Sequence, residues 1–483
     1  MAERVLPESV DYTKILPLAV ESRSRRRTYL PTNGNSFVSD ANNIIRIDVS
    51  ANAFLDTKHS YLRFRMRNTT GQAFGPDFGG GAGFIERLVI SQQGDILSDC
   101  QHYNRLLSSI LLPAQTSLSS QAERSITECQ RWCNEAGTQG AAGVDFTDEA
   151  PNAECGGAAN ISPTNSVIID NGQEFIFSIP LVNGLLGTTQ DKMVPLQLLG
   201  ASPLTIEITL ADVEDVGVFG AAPNAYTVDE VRYIASLVEV GPDVDAHLRE
   251  VQNMSGGRLV LNGVDYTHFN GQLPAGAQGE QSINIPCRRK SIKSLLWAAT
   301  SRTYAAPVKS ACYSLSFGGH LNMIDWYMKA GNVKYPPVPI NCRMDGPAFA
   351  RANSQKAEAF EELRKCFGTV NSAHGTGILN RINTYTTDCD NANVPLDTTA
   401  AGGGASNRTY RFSPFGIDCE AFQRTAAESG IDTASRSLPM TLNVRLGLDA
   451  GGAPAADAIA VDAYVVYDSL YFIDQSGRIN VSM

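Results

Sequence analysis

The sequence predicts an all-β protein: two tandem eight-stranded antiparallel jelly rolls, a double jelly roll, with short helices in the connecting loops. Three observations predict it. Apolar and polar residues alternate at period 2 along many short segments, the mark of strands with one face buried. The end of the first half of the chain matches the end of the second half. Each half also carries one amphipathic helix among its strands, a pattern that suits a jelly roll with long loops between its two sheets.

From the N-terminus, "MAERVLPESVDYTK" carries charge where a signal peptide needs an apolar core, and no segment reaches the ~18 apolar residues of a membrane span. The expectation is a soluble protein made in the cytosol. "ESRSRRR" then packs Arg23, Arg25, Arg26 and Arg27 ahead of the first alternating strand. These residues are read as part of an N-terminal arm, 1–39, which is either a solvated leader or a contact for an anionic partner.

The first roll is expected over 40–242. In "IIRIDVS", Ile45, Ile47 and Val49 share one face; in "YLRFRMRN", Leu62, Phe64 and Met66 oppose Arg63, Arg65 and Arg67. Phe84 to Ile90 reads as a strand, "QQGDIL" as a turn into a short strand. The spacing then changes: Tyr103, Leu106, Leu107, Ile110 and Leu111 fall on one helical face. "EFIFSIPL", "LTIEITL" and "VRYIASLVEV" are further strands. The second roll is expected over 243–483, with strands in "GRLVLNG", "QSINIPC", "KSLLWAAT", "MTLNVRLGL" and "AYVVYDSLYFI". Its helix lies in "NSQKAEAFEELRKCFG", where Ala359, Phe360, Leu363 and Phe367 form a stripe that stops at Gly368.

The match between halves has a nearly constant offset. "PLTIEITL" from Pro203 aligns with "PMTLNVRL" from Pro439, 236 residues on. Phe177-Ser178 aligns with Phe412-Ser413 at 235, and "VDEVRYIASL" from Val228 with "VDAYVVYDSL" from Val461 at 233. Three ordered matches indicate a duplication with its boundary near Gly241-Pro242, and they pair the Tyr103 helix with the Phe360 helix.

Composition narrows the function. The 483 residues are 43% hydrophobic and only 18% charged, with 42 Gly and 23 Pro, which implies many turns and extensive protein contact. A net charge of −11 makes the surface as a whole uninviting to nucleic acid. The ten Cys are scattered, and Cys129 and Cys133 are the only close pair, so free, mostly buried thiols are favoured over disulfides or a metal site. The Asn-x-Ser/Thr sites at Asn68, Asn160, Asn253, Asn407 and Asn480 are expected to stay unmodified in that compartment.

Catalytic patterns are missing. A two-roll metalloenzyme needs a His-x-His pair on one strand face, but the His residues at 59, 102, 247, 268, 320 and 374 are far apart. No phosphate loop, nucleophile elbow or His-Glu-x2-His helix occurs. His102 beside Cys100 and Tyr103 opens a helix and is read as structural. Glu361-Glu362 and Asp191 do not define a glycosidase pair, and Trp297 reads as core rather than as part of a sugar groove. The expectation is a structural protein: not an enzyme, with no catalytic residue, cofactor or metal.

Several stretches carry a resemblance to a known family. "FIERLVI" runs into "QQGDIL" and a helix with Tyr103, Asn104 and Leu106; "FSIPLVNGLLG" precedes "MVPLQLL" and "PLTIEITLA". "INIPCRRKSIKSLLW" presents Pro286, Arg288, Ser291, Lys293, Ser294 and Leu295, and "GNVKYPPVPI" precedes "AFEELRKCFG". In this order they resemble the double jelly-roll major capsid proteins of icosahedral dsDNA viruses, of the polinton-like virus, virophage and adintovirus type. The resemblance implies a homotrimer whose six rolls form a pseudo-hexameric capsomer of the virion. Its implied partners are neighbouring capsomers and minor capsid and penton proteins, with synthesis in the host cytosol. It also places the N-terminal segment on the inner side, so that Arg23, Arg25, Arg26 and Arg27 would meet a minor capsid protein, an internal membrane or the genome. The alternative from another class is a tandem β-sandwich carbohydrate-binding or carbohydrate-active protein.

Overall fold

A computed structural model describes residues 22–71, 74–76, 79–112, 126–127, 169–187, 192–200, 202–219, 224–301, 323–342, 357–367, 414–420, 430–434, 439–447 and 458–482. In the first half, β1 (Ser22–Tyr29), β2 (Ile44–Val49), β3 (Phe54–Arg67), β4 (Ile85–Gln92), β5 (Asp95–Cys100), β6 (Glu174–Ile179), β7 (Leu204–Leu210) and β8 (Thr227–Val240) form two antiparallel sheets. One runs β1-β8-β3-β6 and the other β2-β7-β4-β5. The second half contributes β9 (Arg258–Leu273), β10 (Gly279–Ile285), β11 (Ile292–Ser301), β12 (Met323–Ala330), β13 (Val333–Asn341), β14 (Phe415–Asp418), β15 (Met440–Leu446) and β16 (Ile459–Asp474). Its sheets run β9-β16-β11-β14 and β10-β15-β12-β13. Each strand of the second half thus takes the slot of the strand eight before it. "LTIEITL" and "MTLNVRL" occupy the same slot, as the repeat predicts. Phe412 and Ser413 lie outside the described residues.

Alternation explains the sheets. Along β7 every second residue is buried, Leu204, Ile206, Ile208 and Leu210, while Thr205, Glu207 and Thr209 stay half-exposed. In the first core Phe64 stacks on Phe177 at 5.1 Å, and Phe84 meets Tyr226 edge-on at 5.2 Å. In the second, Trp297 stacks on Phe415 at 4.5 Å and meets Trp326 edge-on at 5.5 Å. Such aromatic packing adds ~0.5–1.5 kcal/mol per pair to the area buried. Both Trp residues are fully buried, so neither lines a surface groove.

α1 (Tyr103–Leu106) runs on as a π-turn over Leu107–Leu111. α3 (Ala357–Cys366) buries Ala359 and Leu363 against β14. Both helices come between the fifth and sixth strands of their roll. A helix that the sequence reading did not predict, α2 (Pro242–Met254), lies between the last strand of the first half and the first strand of the second, with Pro at its opening position. None of the described helices is long and apolar enough to cross a membrane.

The expected arm needs correction. Ser22 to Tyr29 is not a leader but β1, paired antiparallel along its whole length with β8, from Ser22 opposite Val240 to Tyr29 opposite Tyr233. Residues 22–29, expected in the arm, are therefore a strand of the first roll's sheet. Strand β1 escaped the sequence pattern because seven of its eight residues are exposed, so no apolar face marks it.

Candidate functional site at the seam between the rolls

Chemistry-bearing side chains gather where the two rolls meet. Asp265 on β9 is buried, and three hydroxyls donate to it: Ser98 of β5 to Oδ1 at 2.7 Å, and Ser469 and Tyr471 of β16 to Oδ2 at 2.9 and 2.7 Å. Asn183 Nδ2 donates to Ser98 Oγ at 2.7 Å, and the Gly184 amide donates to the Val264 carbonyl at 3.2 Å. Gly184 has φ +54°, and a Cβ there would fall 2.6 Å from Tyr471 Oη and 2.7 Å from Asp265 Oδ1. Only a glycine lets the backbone come this close.

A second cluster sits at the head of α1. Asp462 on β16 meets His268 Nε2 through Oδ1 at 2.9 Å and Arg105 Nε through Oδ2 at 3.3 Å. The His102 ring lies 4.5 Å from that of His268, and the Tyr464 hydroxyl donates to the His102 carbonyl at 2.8 Å. A third contact uses Gln92 of β4 as a clamp: its Nε2 donates to the Gly477 carbonyl at 2.9 Å, and its Oε1 accepts from the Ile479 amide at 2.7 Å. Nearby, Arg478 pairs with Asp95 at 2.6 Å.

The two buried carboxyls behave oppositely. Burial pushes the Asp265 carboxyl up, and hydrogen bonds from Tyr471, Ser98 and Ser469 offset this only in part. Burial also pushes Asp462 up, but the His268 hydrogen bond and the Arg105 and histidine charges outweigh it and hold that carboxyl below its usual value. His102 is pushed down, first by burial and then by neighbouring His268.

His102 stands at the start of α1, as its sequence position suggests, and takes a left-handed φ of 48°. Cys100 beside it is buried, and burial raises its thiol far above the reactive range. Cys100, Cys287, Cys342, Cys366 and Cys419 are not joined in disulfides, whereas Cys129, Cys133, His320, His374 and Asp191 lie outside the described residues. Among the described residues no three His, Cys, Asp or Glu side chains converge on a metal position. Glu361 and Glu362 pair with Arg364 and Lys365 on the α3 surface. The sequence reading missed Asp265 and Asp462, although each is an acid inside an apolar strand. That is a usable signal, because buried charge needs partners.

The four arginines are not gathered into one pocket. Arg25 pairs with Glu239 at 2.8 Å beside a cavity of about 280 Å³ that Gln197 and Asp245 also line. Arg26 lies over the Tyr61 ring at 5.6 Å and Arg27 over Tyr29 at 4.9 Å, while Arg23 is exposed.

No family model and no curated protein matches the sequence. Solved structures do match. The Faustovirus major capsid protein aligns over 97% of this chain and 92% of its own, with a TM-score of 0.57 at 6% identity. The mavirus major capsid protein aligns over 100% and 96%, with a TM-score of 0.51 at 11% identity. The chain has the double jelly-roll fold of viral capsid proteins. A quasi-atomic model of the PBCV-1 virus capsid agrees, with a TM-score of 0.52 at 9% identity over 98% of this chain and 99% of that one. In this double jelly roll each charge of the seam clusters faces another part of the same chain.

Proposed function

We propose that this double jelly roll is a major capsid protein, three copies of which join into a pseudo-hexameric capsomer that tiles an icosahedral shell of the virion. One observation carries the reading: two rolls of identical strand order lie fused through a polar seam, in a fold shared end to end with structures described as major capsid proteins. Six such rolls in a closed trimer give a nearly hexagonal block from one gene product. The natural division is one roll up to 242 and another from 243, the first including Ser22–Tyr29. Neighbouring capsomers and minor capsid and penton proteins are the expected partners, with synthesis in the host cytosol, and the reading needs neither catalysis nor a cofactor. Two of the three Trp residues that the carbohydrate-active alternative could use, Trp297 and Trp326, are core, and Trp132 lies outside the described residues.

Light scattering and electron microscopy of the purified full chain test the proposal. A homotrimer with a hexagonal outline, able to form shells with its partners, is expected. A folded monomer that binds glycans would overturn it.

A further inference from the structure

The repeat makes the seam a template. Thr28 of β1 stands opposite Ile234, and Asp265 of β9 opposite Tyr467, 233 residues further on in the partner strand. Thr28 is therefore the first roll's counterpart of Asp265, and Arg27 that of Val264. On the other side, Ser98 faces Ile90, which faces Ile206; Tyr335 faces Met328, which faces Leu442, 236 residues beyond Ile206. Tyr335 of β13 is therefore the second roll's counterpart of Ser98.

Inside the chain these positions meet: β5 of the first roll packs on β9 of the second, with Ser98 on Asp265 and Gly184 on Val264. Of their counterparts, Thr28 is exposed and Tyr335 is half-buried on a strand whose valines are open to solvent. β1 is exposed at every residue except Tyr29. Among the described residues β13 is the edge of its sheet, with Val333 54% and Val338 72% exposed. Charge leans the same way: the exposed strand carries Arg23, Arg25, Arg26 and Arg27, of which Arg25 pairs with Glu239, whereas α3, next to β13, carries three glutamates against two cations, with Glu361 and Glu362 paired to Arg364 and Lys365.

We propose that the seam is repeated between chains, so that the β13 edge and α3 of one copy seat on the arginine strand β1 of the next. The contact is head-to-tail, each copy offering β13 to one neighbour and β1 to the other, so that it closes as a ring. This rests on the trimer reading and names its interface. It moves Arg23, Arg25, Arg26 and Arg27 from the expected inner-surface contact to the lateral contact between copies. The Pro336-Pro337-Val338-Pro339 stretch of β13 has only the Val338 amide to offer a foreign strand, so side-chain packing rather than sheet extension makes the contact.

Full-length Thr28→Cys and Tyr335→Cys chains, made separately and co-expressed, test this with a short thiol–thiol cross-linker and the wild-type chain as blank. Thr28 is exposed and Tyr335 is half-buried against its core, so each variant is first required to match the wild-type circular dichroism spectrum and trimer mass. A linked pair only in the co-expressed sample, and a covalent ring from the double variant, are expected. In the wild-type trimer, amide hydrogen exchange over residues 22–29 should be slowed relative to dissociated chains. A trimer without this cross-link, or with only Thr28→Cys self-links, would overturn the interface but leave the trimer standing. A monomer would remove both.

Discussion

Asp265 and Asp462 lie on paired strands of one sheet, yet the chain surrounds the first with hydroxyls and the second with cations. Asp462→Asn would leave Arg105 and His268 buried without their carboxylate. Breaking one side of such a buried pair costs about 3–5 kcal/mol, and the denaturant midpoint should fall accordingly. The pH behaviour follows from the signs. His102 is held below the ordinary ~6.5 of histidine, so below that pH the unfolded chain binds more protons and stability falls with acid. Asp462, held low, adds a further loss as the pH drops below ~3.9. Asp265, held high, acts the other way: its folded form keeps a proton, so stability is lost as pH rises from ~3.9 through its raised value. His102→Asn keeps a residue that tolerates the left-handed backbone but removes the titration. Its drop in melting temperature between pH 7.5 and 5.5 should be smaller than that of the wild type.

Among the elements, Gly184 is where the seam leaves no room for a side chain. Gly184→Ala meets Tyr471, Asp265 and Ser98 at 2.6 to 2.8 Å on a backbone of φ +54°, so a loss of about 1–3 kcal/mol is expected. Differential scanning calorimetry should show the two rolls melting less cooperatively. The strands β2, β3, β7 and β15 were legible because each buries one face, which fixes a period of 2 in the residues. β1 was not, for it is an edge with both faces in solvent, and four arginines in "SRSRRRTY" read equally well as a tail. β13 hid behind its prolines, which belong on an edge strand but usually argue against any strand. The seam was illegible for a different reason: Ser98 and Asp265 are 167 positions apart, and no local period relates them.

At the scale of the whole molecule, the repeat was the most informative feature of the sequence. Its offsets of 233 and 236 lead to equivalent strands, and the same bookkeeping pairs the bare surfaces of neighbouring copies. A trimer held by such surfaces ties stability to protomer concentration. The melting temperature should rise with protein concentration across the micromolar range, and raised salt should weaken the association because the arginine strand is exposed. A concentration-independent melting curve would count against the assembly.

The Gln92 clamp has a consequence in time. Its two hydrogen-bond partners lie 385 and 387 residues further along the chain. At a translation rate of about 5–20 residues per second, roughly 20 to 80 s separate the emergence of Gln92 from that of the backbone it grips. Throughout that interval the first roll can complete its own core while Gln92 and Asp95 face water, their partners Gly477, Arg478 and Ile479 not yet made; Ser98 waits a shorter time, because Asp265 lies 167 residues on. These side chains are polar, and that suits the wait: an apolar face left bare for so long would attract other nascent chains before its own second half arrived.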